Sequence, residues 1–281
     1  MIRKSATGVI VALAVIWGGG TWYTGTQIQP GVENFIKDFN DVKKKGEHAY
    51  AMTLSYKNFE KGFFNSHFQM QIIFDNGAPD LNIKPGQKVA FDVDIEHGPL
   101  PITMLMRGNV IPALAAAKVN LVNNELTQPL FIASKNKSPV EAKLRFAFGG
   151  SFSTTLDVAP AEYGEFSFGE GQFTFNGDDS SLSNLDIEGK VEDIVLKLSP
   201  ISKVTAKSFT INSLTRLEEK KFPGGESESK FNQINIINRG EDVAQIDAFV
   251  AKTRLDRVKD KDYINVNLTY ELDGDAANLL I

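Results

Sequence analysis

The sequence predicts a mainly β protein: an N-terminal transmembrane helix followed by an elongated, mostly antiparallel β-sheet domain with a few short helices. Three observations carry that expectation. The run Ala6–Tyr23 is apolar and contains no charged residue. From Met52 to Leu272 apolar and polar residues alternate with a period of two in one segment after another, the pattern of strands with one buried face. No βαβ alternation interrupts these segments, so the sheet is expected to be antiparallel and wet on one side. The implied division is a cytoplasmic tail at 1–5, a membrane anchor at 6–23, a juxtamembrane amphipathic helix at 24–48 and a β-rich domain beyond the membrane at 49–281. A sub-boundary within the last of these is expected near 131–143.

The anchor comes first. Its 18 residues make a helix of about 27 Å, just enough for a bilayer core of roughly 30 Å. Arg3 and Lys4 precede it, and Trp17, Trp22 and Tyr23 cluster at its far end. Positive charge stays in the cytoplasm and aromatic rings favour the interface, which places the N-terminus inside and the rest of the chain outside. A cleaved signal peptide is the competing reading, but the small pair Ala12 and Ala14 lies within the apolar run, too early for a cleavage site. Without a cysteine, lipoprotein attachment is excluded. Gly18–Gly20 is poor helix material and reads as a flexible outer end.

Ile28, Val32, Phe35, Ile36, Phe39 and Val42 then recur on one face of a helix, with Lys43–Lys45 suiting the negative end of its dipole and Gly46 as a stop. Its expected task is to pack under the first sheet; self-association is the alternative. Met52–Phe74 reads as two strands around a Lys61-Gly62 turn, and Val89, Phe91, Val93 and Ile95 mark a half-buried strand. The proline-flanked stretch Ile102–Ala117 reads as broken helix, Val119–Val122 as a return to strand, and Asn123-Asn124 as a turn. Apolar residues then occupy even positions from Leu144 to Val158, giving either one strand of about 50 Å or a hairpin at Gly149-Gly150. Phe166 and Phe168 are expected to face Phe173 and Phe175 across Gly169-Glu170-Gly171. Phe222-Pro223-Gly224-Gly225 reads as a loop, Asn238–Asp242 as a turn, and Ile264–Leu272 as the last strand. No terminal cap is recognisable at Asn278–Ile281, which is the pattern of a partial reading frame.

The totals exclude several functions. A net charge of −5, with no basic cluster larger than Lys43–Lys45, argues against nucleic acid. Zero cysteines remove thiol chemistry and cysteine-based metal sites. Asp92, Asp94 and Glu96 share one strand face, but successive carboxylates about 6.6 Å apart cannot converge on a cation, so a solvated face is expected. His48, His67 and His97 lack metal-ligand spacing, and neither HExxH nor GxSxG occurs. No catalytic, cofactor-binding or metal-ligating residue is therefore assigned, and no cofactor is expected. The candidate site is an apolar sheet face carrying Phe146, Phe148, Phe152 and Leu156.

The pieces LSYKNFEKGFFNSHFQMQI, HGPLP, VIPALA and LVNNELTQPLF resemble the YdgA-like family of Gram-negative envelope proteins. The resemblance covers the anchor and residues 50–131 well, and the later strands by pattern. It implies an inner-membrane anchor, a periplasmic body and no known catalytic residues; family members are longer than this chain. The resulting expectation is a non-enzymatic, single-pass inner-membrane protein acting through its sheet surface, with the membrane as one partner and a second copy or another envelope protein as a further one. Two alternatives stand beside it. One is binding of lipid or another hydrophobic ligand along an apolar groove, in pattern similar to AsmA/TamB-type grooves. The other is a periplasmic enzyme whose site is not visible in the sequence.

Overall fold

Period-two alternation becomes strand almost wherever the chain is described. The computed structural model describes residues 25–37, 39–41, 51–79, 83–98, 113–177, 184–218, 222–257 and 264–273. The anchor Ala6–Tyr23 and most of the Ile102–Ala117 stretch lie outside them. Among the described residues, no helix is long and apolar enough to cross a membrane. The chain divides into two units, Met1–Pro129 with Glu141–Phe148, and Leu130–Val140 with Gly149–Ile281.

In the first unit, β1 (Met52–Lys61), β2 (Asn65–Phe74), β3 (Lys88–His97), β4 (Ala115–Leu121) and β5 (Val140–Phe146) pair in that order, each antiparallel to the next. Their registers bring Leu54, Tyr56, Phe68, Met70, Phe91, Val93 and Val119 to one face and Gln69, Asp92, Asp94 and Lys118 to the other. Asn58 adopts φ 53° at an irregularity between Lys57 and Glu60. The extra residue turns Phe59 to the apolar face, where its ring stacks on Phe68 with centroids 5.5 Å apart.

The helix α1 (25–37, continuing at 39–41) covers this face. The Asn40 side chain donates to the Leu54 carbonyl and accepts from the Leu54 N–H, both at 2.9 Å, and the Tyr56 hydroxyl donates to Glu33 at 2.8 Å. A β-carbon at Gly25 would collide with the His97 ring, so the first described turn of the helix sits directly on the end of β3. Leu54, Phe68 and Val93 are closed in as a result. Phe35, expected on the packed face, is 56% exposed.

A short helix, α2 (Gln128–Ala133), was not legible in the sequence pattern. Asn124 starts its turn by accepting from the N–H groups of Leu126 and Thr127, and the buried Thr127 hydroxyl donates to the Val122 carbonyl at 2.7 Å.

The second unit is a sheet in the order β6 (Phe152–Val158), β9 (Gly171–Gly177), β10 (Asn184–Ser199), β11 (Ser202–Glu218), β12 (Phe222–Asn238), β13 (Glu241–Arg257) and β14 (Ile264–Asp273). The small strands β7 (Ala161–Tyr163) and β8 (Phe166–Phe168) pair with each other, and β8 also pairs with β10. Strands of 17 residues are roughly 55 Å long at about 3.3 Å per residue. The β12–β13 connection is the expected turn, with Arg239 at φ 53° and Gly240 at φ 84°, the paired positive values of a two-residue hairpin loop.

Several expectations are corrected. Ala115–Ala117 is strand, not helix, because it fills the ladder between β3 and β5. Phe222–Gly225 is not a loop but the first part of β12, held in register opposite Thr215–Glu218. Phe166-Phe168 and Phe173-Phe175 do not form a hairpin. Instead β8 and β9 lie end to end along β10, with Phe166 opposite Leu196 and Gly171 opposite Val191. Of the two readings of Leu144–Val158, the one with a break at Gly149-Gly150 holds: the stretch is two strands, separated by a turn in which Gly150 has φ 89°.

One irregularity runs across the second sheet. The β10–β11, β11–β12 and β12–β13 ladders each lack a pair at one level, where Asp193, Lys207, Gln233 and Asp247 stand side by side. Asp193 and Gln233 have φ of 49° and 48°. Apolar positions are odd-numbered on one side of this line (Val191, Phe209, Phe231, Phe249) and even-numbered on the other (Ile194, Ala206, Ile234, Ile246). One extra residue per strand at a shared level keeps the register and holds both sets on one face.

Candidate functional site

The four residues singled out from the alternation fall in two different units. Phe146 and Phe148 belong to the first unit, at the end of β5 and in the following turn, while Phe152 and Leu156 lie on β6 in the second. Phe152 and Leu156 open a much wider apolar face. Val158, Gly171, Val191, Phe209, Phe231, Phe249 and Leu272 are directly cross-strand from one another, a row spanning β6 to β14. Two residues further along, Leu156, Phe173, Gly189, Ile211, Ser229, Ala251 and Tyr270 form the next row.

Glycines shape this face. A β-carbon at Gly177 would strike the Phe152 ring, and one at Gly189 the Phe173 ring. Each ring therefore lies flat across a neighbouring strand instead of standing off the sheet. Phe209 and Phe231 meet at 4.8 Å between centroids, and Phe249 stacks with Tyr270 at 6.1 Å. Between the rows of Val158 and Phe152 no position on this face is charged. Among the described residues the second unit has no further sheet to cover it. Val266, Leu268, Tyr270 and Leu272 on β14 are between 58 and 65% exposed, and Ala206 and Ala248 are the apolar residues of these strands that reach full burial.

The opposite face is polar and hollowed. A depression of about 750 Å³ lies over β10–β14, lined by Glu188, Asn212, Glu226, Glu228, Lys252 and Arg254 among others. Arg216 binds Asp186 at 2.9 Å, and Lys252 lies 2.9 Å from Glu271 and 3.9 Å from Glu228. The hydrogen bond to Glu271 raises the Lys252 pKa, aided by both carboxylate charges against a smaller desolvation effect. Glu192 is held below its ordinary value by the hydrogen bond from Lys190. Internal pairs thus occupy much of the charge in the hollow.

On the polar face of the first unit, the three carboxylates of β3 are spread along the strand. Asp92 accepts from Gln69 at 2.9 Å, and Asp94 lies 2.8 Å from Nδ1 of His67. Glu141, not singled out from the sequence, is the more tightly held carboxylate, 2.8 Å from Lys118 and 3.2 Å from Lys143. Burial works to raise its pKa, but hydrogen bonds and charge from the two lysines outweigh this and leave it lowered. A carboxylate with a depressed folded pKa stabilises the fold above its unfolded pKa, and that contribution is lost as pH falls through the folded value. Glu141→Gln is therefore expected to lower stability at neutral pH by about 0.2–1 kcal/mol. Melting curves of the two proteins should converge on acidification; a gap constant with pH would refute the ionic account.

Among the described residues, His97 and Ser66 form the nearest approach to a nucleophile–base pair, with Oγ 3.5 Å from Nε2. Both are closed in, at 3% and 1% exposure, with Gly25 of α1 against the His97 ring, so no substrate reaches them. Among the described residues no group of three or more acidic or histidine side chains is placed to hold a metal ion.

Known proteins place the chain in a family without assigning it a reaction. It is 92% identical over 273 residues to the uncharacterized protein YihF of Escherichia coli K12, an overlap covering 97% of this chain and 57% of that protein. It is 30% identical over 277 residues to protein YdgA of the same organism, covering 96% of this chain and 55% of YdgA. An uncharacterized protein of Haemophilus influenzae is 26% identical over 293 residues, 99% of this chain and 74% of that one. The chain thus spans little more than half the length of its two E. coli relatives. No solved structure matches it. The family model for bacterial proteins of unknown function DUF945 matches residues 2–278, and the chain belongs to that family.

Proposed function

We propose that the chain is a non-enzymatic envelope protein, held in the inner membrane by Ala6–Tyr23 with its body in the periplasm, and that it works by binding through the apolar face of the second sheet. The observation that supports this reading is the uncharged face spanning β6 to β14, which stays half-exposed to solvent. Apolar surface of that extent on a folded domain is retained where something binds it. The burial of His97 and Ser66 supports a role other than catalysis.

The lack of charge across the face favours a second, narrower reading in which the occupant is the acyl chain of a lipid. An acyl chain needs no hydrogen-bond partners, and flat-lying rings such as Phe152 and Phe173 leave it a smooth bed. The test is phospholipid retained per chain after mild detergent extraction, measured by mass spectrometry. Phe209→Asp with Phe231→Asp is expected to lower it, and Thr210→Asp, on the polar side of β11, to leave it unchanged. Equal retention in all three proteins, each folded by circular dichroism, would reject the lipid reading.

A further inference from the structure

One end of the first sheet carries a line of exposed apolar side chains. The β1–β2 turn presents Phe63 and Phe64, 53% and 38% exposed, with ring centroids 4.8 Å apart. Backbone hydrogen bonds carry the line onward: His97 N–H donates to the Phe64 carbonyl at 3.0 Å, Gly98 N–H to Leu114 at 3.3 Å, and Leu114 N–H to Phe146 at 2.8 Å. Leu114 and Phe146 are each 39% exposed, and Phe148 is 58% exposed. At the other end of the same strands the chain leaves and re-enters the sheet through Asp75, Asn76, Gln87, Lys88, Asn123 and Glu125, although the connection from β4 to β5 also exposes Leu130 and Ile132 on α2. Scattered exposed apolar residues are ordinary, but a contiguous line of them along the ends of neighbouring strands is not.

The chain enters the unit at this same end. Gly25 lies against the His97 ring, and His97 is hydrogen-bonded through its backbone to Phe64. Gly25 is two residues from Tyr23, the last residue of the apolar run, and two residues reach at most about 7 Å. Whatever surface the run emerges from is therefore close to the apolar rim.

We propose that this rim is a membrane-contact surface, with Phe63, Phe64, Leu114, Phe146 and Phe148 seated in the headgroup and upper acyl region of the bilayer. Lys61, exposed beside the turn, faces the phosphates. The proposal rests on the reading of Ala6–Tyr23 as a membrane span. Because the strands end on the rim, the bilayer supports the first sheet at its edge, and the polar turns point away from it.

The absence of cysteine makes the test direct. Single variants Phe63→Cys, Leu114→Cys, Phe148→Cys and, at the far end, Glu125→Cys each take one nitroxide label in the 281-residue chain. The labelled chains are reconstituted into vesicles of phosphatidylethanolamine and phosphatidylglycerol. Collision with oxygen relative to a water-soluble nickel chelate is expected to be several-fold higher at the three rim sites than at residue 125. Equal ratios at all four sites, in vesicles from which alkaline carbonate does not extract the chain, would overturn the membrane-contact surface and leave the anchor standing. Extraction by carbonate would overturn the anchor, and the rim proposal with it.

Discussion

Phe68→Ala is expected to destabilise the first unit by about 3–5 kcal/mol, the range for emptying an aromatic site in a closed core. Phe68 is 1% exposed. Its ring stacks on Phe59 and meets Tyr56 edge-on at 6.2 Å. Those neighbours are themselves pinned, Phe59 by the irregularity at Asn58 and Tyr56 by its hydroxyl bond to Glu33 on α1, so the cavity cannot collapse cheaply. Phe231→Ala provides the contrast. Its ring lies on the half-covered face of the second sheet, and truncation there leaves no closed cavity, so a much smaller loss is expected. Denaturant unfolding of the two variants in detergent checks both, and equal losses would show that the second face is as well covered as the first.

Gly225→Ala is expected to cost about 3 kcal/mol, although it adds a single methyl group. Gly225 has φ 142°, a conformation that side-chain-bearing residues rarely take, and its β-carbon would collide with the backbone carbonyl oxygen of Leu214 on β11. The obstacle is backbone in the middle of a ladder, so relief requires β11 and β12 to separate locally. Hydrogen exchange of the amides from Ser213 to Arg216 should accelerate in the variant. Gly149→Ala is the control, since its φ is not positive and no atom lies within 4 Å of its β-carbon; it should melt as the wild type does. An unchanged exchange rate at residues 213–216 would refute the strain argument.

Where local pattern and ladder agree, the sequence was a good guide. β3 and β14 appear where Val89–Ile95 and Ile264–Leu272 alternate, and the turn at Arg239-Gly240 is spelled by its residues. Where pairing partners are distant, it was not. Pro223-Gly224-Gly225 reads as a breaker in isolation, yet β11 and β13 impose strand on that part of β12. The symmetry of Phe166–Phe168 and Phe173–Phe175 about two glycines suggested a hairpin, but β10 offers a longer edge and takes both strands in line. Six residues are too few for α2 to show a helical period. The apolar face was glimpsed at Phe152 and Leu156, but its breadth depends on six registers that no single segment encodes. The rim was hidden because Phe63 and Leu114 are 51 positions apart.

The line of Asp193, Lys207, Gln233 and Asp247 makes four strands share one length constraint. Removing any one of these residues alone would leave that strand in simple alternation but slide its distal half by one position against its neighbours, so that in β12 Ile234 would come level with Lys207 and Asp247 instead of Ala206 and Ile246. A strand in a regular sheet can gain or lose a residue at its ends without consulting the others. Here a change of one residue at the midline is tolerated only if it is made in all four strands together, which turns what looks like a local defect into a lock on insertions and deletions across the whole sheet.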